Sequence, residues 1–152
     1  MRFEAATVEQ LHALAARFAR SAPTDMFVGR IGDLGAGKTA FVQGFVAALR
    51  RGDEAEVNSP TYAIVQPYDT DPPVQHVDLY RLGSEEEWEA MGGPEIFYGA
   101  GLVLVEWIDR LPDTAPEQWV EIRFAARPDD VREIHAIAHG EDAEAWLREV
   151  AS

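Results

Sequence analysis

The stretch IGDLGAGKTAF, residues 31–41, decides how the rest of the chain is read. Gly32-Asp33-Leu34-Gly35-Ala36-Gly37-Lys38-Thr39 matches G-x-x-x-x-G-K-[ST] at every position. Glycines let backbone turn through positive φ and approach an anion without a Cβ in the way. The N–H groups of Asp33, Leu34, Gly35, Ala36 and Gly37 then form a concave nest. A helix beginning at Lys38 adds the partial positive charge of its N-terminus. In such a loop the lysine reaches β- and γ-phosphates and the hydroxyl of Thr39 faces Mg²⁺. The mechanism needs a strand before the loop and a helix after it. MFVGRI, Met26 to Ile31, reads as that strand. Phe41, Phe45, Val46 and Leu49 mark one side of a helix from about Lys38 to Arg50. Lys38 is expected on a solvent-facing loop.

The remaining pattern surrounds this unit. Thr7 with Gln10 forms a capping box, and Leu11, Leu14, Ala15 and Phe18 follow at helical spacing, so a helix runs from about Val8 to Arg20. Residues 51–60 read as a loop. TYAIVQPY, residues 61–68, and VQHVD, residues 74–78, are strands joined by the turn Asp69-Thr70-Asp71-Pro72-Pro73. Ser84 with Glu87 caps a short helix that stops at Gly92-Gly93. Pro94 suits the first turn of another, ending at Gly99. Leu102 to Val105 is a buried strand. Trp119 to Phe124 and Val131 to Ala138 alternate and flank a turn, which makes a late hairpin, and Asp142 to Val150 is a closing helix. Strands interleaved with helices predict an α/β fold of the P-loop NTPase kind. It has a mixed, mostly parallel sheet with helices on both faces and β-hairpins, in one domain over residues 1–152.

Composition sets the outer bounds. The chain has 152 residues, no cysteine and a net charge of −14. Disulfides and thiolate metal sites are excluded. The acidity argues against a broad nucleic-acid surface and against anionic membranes, because phosphate binding is driven by Lys and Arg. No apolar run approaches the ~20 residues of a membrane span. The N-terminus lacks an apolar signal core, so a soluble cytoplasmic protein is expected.

A phosphate loop with Mg²⁺ needs carboxylates where neighbouring strands end. Glu106 follows LVLV and Asp78 ends VQHV. Either can hold Mg²⁺ or orient an attacking water. Asp78 can equally cap the turn that follows it. Trp107 reads as core or as a group beside the nucleotide. Thr61, in SPTY, stands where a γ-phosphate sensor occurs, and equally where a β-branched residue starts a strand. Arg81 reads as a surface arginine. His12, His76, His135 and His139 lack metal-ligand spacing. No N-K-x-D string occurs, which favours ATP over GTP.

GDLGAGKT, SPTY, HVDLYRL and VEW, in this order and spacing, closely resemble the TsaE family, also called YjeE. The resemblance runs from the first helix through about Asp109. EEEWEAMGGPEIFYGAG looks like the family's acidic stretch and short aromatic helix. The last 40 or so residues fit loosely. The resemblance implies Mg²⁺-dependent ATP hydrolysis and assembly with TsaB and TsaD, to reset that complex between turnovers of threonylcarbamoyl-adenosine synthesis on tRNA. tRNA is met only through the complex. It assigns Lys38 and Thr39 to phosphate and metal, Asp78 to a functional acid, Glu106 to the metal, Trp107 to the tryptophan beside it and Thr61 to a switch-like segment. Arg30 and Met91-Gly92-Gly93 look like local variation. A small metabolite kinase and a non-hydrolysing, nucleotide-gated binding module remain as alternatives.

Overall fold

The computed structural model describes residues 1–31, 37–50, 65–97, 101–108, 111 and 114–152. The elements run β1 (Arg2–Ala5), α1 (Val8–Ser21), β2 (Met26–Ile31), α2 (Lys38–Ala48), β3 (Val65–Tyr68) and β4 (Val74–Asp78). They continue with α3 (Glu85–Ala90), α4 (Gly93–Phe97), β5 (Leu102–Glu106), β6 (Trp119–Ala126), β7 (Arg132–His139) and α5 (Glu141–Ala151).

The strands form a seven-stranded sheet in the order β1-β7-β6-β2-β5-β4-β3. β2 lies parallel to both β5 and β6, and β4 is parallel to β5. β3 and β7 run the other way, each in a hairpin with its sequence neighbour, and β1 is antiparallel to β7. Five strands therefore share one direction, and the sheet is mixed and mostly parallel.

Alternation along the central strands divides the core. Val28, Leu104 and Ile122 point to the face covered by α1, α2 and α5. Phe27, Val103 and Val105 point to the face covered by α3 and α4. Helices thus lie on both faces. Phe18 of α1 meets Phe3, Phe41 and Trp146 edge-on, with ring centroids 5.5–5.8 Å apart. Such pairs each add about 0.5–1.5 kcal/mol beyond simple burial.

Two local signals position these layers. Thr7 accepts from the Gln10 N–H, and Ser84 from that of Glu87. In both boxes the side chain of the third helical residue reaches one residue further back than the cap, to the N–H of Ala6 and of Gly83. Each cap is worth about 1 kcal/mol. Gly44 explains how α2 seats against α1. A Cβ there would stand 2.7 Å from the Cα of His12, so only glycine permits this helix separation.

The structure also departs from expectation. β1 was not anticipated, and pairs Arg2 to Ala5 with His135 to Arg132. α2 ends at Ala48, with Leu49 as its cap, rather than at Arg50. Gly93 opens α4 instead of closing α3, which ends at Ala90. Residues 51–60, the start of the 61–68 strand and Gly99 lie outside the described residues. Among the described residues, no helix is long and apolar enough to cross a membrane.

Candidate functional site

The parallel strands β2, β5 and β4 end together beneath the start of α2. Gly37 caps that helix at φ 102°, a left-handed conformation, which glycine adopts without a side-chain penalty. From here Lys38 enters an open cleft of ≈ 380 Å³, whose lining includes Thr39, Asp78, Glu106, Trp107 and Arg132. Lys38 is buried, not solvent-facing. Its Nζ lies 4.0 Å from the centroid of the Trp107 ring. The indole face attracts the ammonium and holds it over the cleft.

Trp107 reaches this position through strained backbone. It follows β5 directly and has φ 63°, a region that costs a residue with a Cβ on the order of 1–3 kcal/mol. The Trp107 N–H donates to the Arg30 carbonyl at 3.1 Å and fixes the turn. Tyr80 leans on the indole as well, ring centroids 5.2 Å apart.

The carboxylates arise from strand register. Asp78 of β4 stands beside Glu106 of β5, and Glu106 stands beside Arg30 of β2. All three lie on the α2 side of the sheet, by alternation from Val74, Leu104 and Val28. Arg30 is wholly buried. Its Nη1 donates to the Lys38 carbonyl at 3.0 Å, and its Nη2 is 3.9 Å from Glu106 Oε1. His76, also wholly buried, brings Nε2 to 3.4 Å from Glu106 Oε2, a contact short of hydrogen-bond geometry.

This surrounding sets the charges. Burial pushes the Glu106 carboxyl up, but the Arg30 guanidinium, the His76 ring and Lys38 together outweigh it and hold it down at about 2. Burial raises Asp78, against the N–H that Tyr80 donates to its Oδ1 at 3.0 Å, and the Glu106 charge raises it further. Burial keeps His76 below its ordinary value despite the carboxylate beside it. One carboxylate is thus firmly ionised and the other less so, a separation typical of paired acids with different tasks.

A family model described as "Threonylcarbamoyl adenosine biosynthesis protein TsaE" matches residues 5–134. The chain belongs to the TsaE family. Its relatives include the tRNA threonylcarbamoyladenosine biosynthesis protein TsaE of Bacillus subtilis (strain 168). That protein is 40% identical over 121 residues, 79% of this chain and 74% of the relative. The protein of the same description from Rickettsia bellii (strain RML369-C) is 33% identical over 125 residues, 82% of this chain and 85% of the relative. The crystal structure of Bacillus subtilis YdiB matches with a TM-score of 0.83 at 30% identity, covering 99% of this chain and 93% of that one. The fold is that of a P-loop NTPase, and the family acts in tRNA threonylcarbamoyladenosine biosynthesis.

Of the residues singled out in this TsaE chain, Gly37, Lys38, Thr39, Asp78, Glu106 and Trp107 meet at one cleft. Asp78 lines the cleft and also caps its own turn, its Oδ1 accepting from the Tyr80 N–H. Asp33, Leu34, Gly35, Ala36 and Thr61 lie outside the described residues. Sequence reasoning passed over Arg30, His76 and Arg132. Arg30 looked like local variation, and His76 was weighed only as a metal ligand. Its burial, which only the structure supplies, sets Arg30 apart. Arg132 begins β7, far along the chain, and its Nη1 donates to the Asp130 carbonyl at 3.0 Å beside the cleft.

Proposed function

We propose that this chain is a Mg²⁺-dependent ATPase, one domain over residues 1–152, that binds the TsaB–TsaD complex and resets it between turnovers of tRNA modification. One observation carries the reading: Lys38, Asp78 and Glu106, from three separate elements, face one cleft where parallel strands end. In this reading the backbone of Asp33 to Gly37 holds phosphates and Lys38 neutralises them. The Thr39 hydroxyl and the Glu106 carboxylate hold the metal. These are hard oxygen donors, few in number, as suits an ion that shares its coordination with substrate phosphates. Held there, Mg²⁺ would supply charge neutralisation to the nucleotide phosphates.

Asp78, the less firmly ionised acid, orients the attacking water, and Thr61 responds to the γ-phosphate. Trp107 stands beside the nucleotide and steers Lys38. A chain of net charge −14 repels tRNA and suits a basic face on a protein partner, so tRNA is met only through the complex. The protein works in the cytoplasm, away from the membrane.

Phosphate release from ATP, measured with and without Mg²⁺ and with and without the cognate TsaB–TsaD complex, tests this. Strong stimulation by the complex is expected. No stimulation, with binding of the complex demonstrated, defeats the reset role. ADP appearing with a phosphorylated metabolite would identify a kinase instead.

A further inference from the structure

Among the described residues, Arg30 is the one buried arginine. It is wholly buried, yet its Nε and Nη2 have no hydrogen-bond partner among the described residues. Native proteins seldom leave buried donors unpaired, and a buried charge is retained at a cost. The counter-charge beside it is Glu106, its register partner on β5. Val28, two residues earlier on the same strand and face, fills its position with an apolar side chain.

The guanidinium touches two parts of the cleft at once. On one side, Nη1 grips the carbonyl of Lys38, the first residue of α2. On the other, Nη2 lies 3.9 Å from the carboxylate of Glu106. That distance is an ion pair, longer than a hydrogen bond. A planar fork with several donors can hold two partners in fixed relation, which a single ammonium cannot. His76 closes the far side of Glu106 at 3.4 Å. Among the described residues, the carboxylate is flanked by these two buried groups, and Glu106 lines the cleft together with Lys38 and Thr39.

We infer that Arg30 is a positioning residue for Glu106: it spans from the first residue of the phosphate-loop helix to the carboxylate and fixes where that carboxylate stands for Mg²⁺. The inference rests on the ATPase reading for the role of Glu106. Its geometric core, a coupling between Arg30 and Glu106, stands apart from that reading. Arg30 touches neither nucleotide nor metal, so its effect passes through Glu106.

The test compares the parent chain with Arg30→Met, Arg30→Lys, Glu106→Gln and the Arg30→Met/Glu106→Gln pair. ATP affinity is measured by calorimetry in EDTA and across a Mg²⁺ series. Arg30→Met should leave the metal-free affinity within about twofold and raise the Mg²⁺ midpoint at least fivefold. Arg30→Lys should fall between, because it keeps the charge and loses the fork. In the Glu106→Gln background, Arg30→Met should move the midpoint less than twofold. An unchanged midpoint in folded Arg30→Met overturns the inference. So does an equal loss of affinity with and without metal, which would mark a merely structural arginine. If the parent binds no ATP, the ATPase reading fails on its own. The coupling is then read from urea unfolding of the same set. There the paired variant should be markedly more stable than the sum of the single losses allows, and simple additivity overturns it.

Discussion

Two rows of charge cross the same sheet. The inner row runs Asp78, Glu106, Arg30 across β4, β5 and β2, under α2. The outer row lies on the uncovered face of β1 and β7, where Glu4 stands opposite Glu133. There Arg2 reaches Glu4 at 2.9 Å and Glu133 at 2.5 Å, and Arg127 reaches Glu4 at 3.1 Å and Asp129 at 2.8 Å. These four outer contacts are shorter than the inner Arg30–Glu106 pair at 3.9 Å, a distance that the outer row shows only for Arg127 and Glu133. Distance alone would rank the outer row as the stronger. Solvent reverses that ranking. Exposed pairs are screened and typically contribute about 0–1 kcal/mol. Buried charges interact through a poorer dielectric, and breaking one pair strands its partner. The inner row trades ideal pairing for position, and position is what the proposed metal site would need.

The largest expected effect comes from breaking the inner row at its centre. Glu106→Gln should lower ATP turnover by about 10²–10⁴-fold, the range of a positioned catalytic group, while ATP still binds. It should also destabilise the fold by on the order of 3 kcal/mol, because Arg30 loses its buried counter-charge. Steady-state hydrolysis and urea unfolding read both, and unchanged turnover would reduce Glu106 to a spectator. Next comes Lys38→Ala, expected to weaken ATP binding about a hundredfold, near 2.7 kcal/mol. Calorimetry measures this, and parental affinity would remove the loop from the proposed site.

Acid should weaken the buried cluster around Glu106. His76 is held below its ordinary value of 6.5. The unfolded chain therefore takes up a proton there that the folded chain refuses, and stability falls as pH drops below that value. Glu106 sits at about 2 against an ordinary 4.5, so its contribution is present above 4.5 and is lost as pH falls from there toward 2. Urea midpoints between pH 7 and 5 should decline in the parent and decline less in His76→Gln; parallel curves would clear His76 of this role. The smallest effect belongs to the outer row. Arg127→Ala should cost no more than about 1 kcal/mol, and the loss should shrink in high salt. A larger, salt-insensitive loss would mean the outer row is not screened as its exposure implies.

These rows also explain what could be read in advance. The caps at Thr7 and Ser84, the strand before the loop and the strand-end acids all announce themselves within a few residues. So their elements, and Lys38, Asp78 and Glu106, were legible. β1 was not, since RFEA carries no periodic signal and its stability comes from pairing with β7, some 130 residues away. Arg30 was opaque for the same reason. Its meaning lies in Glu106 on another strand, and an isolated arginine inside a strand looks like an exception to the pattern. His76 failed through the question asked of it. Spacing along the chain does not reveal its partner, Glu106, which stands on the neighbouring strand β5.

The Lys38 ammonium over the Trp107 ring has an optical consequence. Indole emission shifts with the field of a nearby cation, and of the chain's four tryptophans this one carries the cation on its face. Phosphate oxygens that draw the ammonium off the ring would change the emission spectrum without any added dye. ATP binding should therefore be visible in the protein's own light, and Trp107→Phe should abolish the signal. A chain that binds ATP by calorimetry with its spectrum unmoved would show that the lysine keeps its seat on the indole.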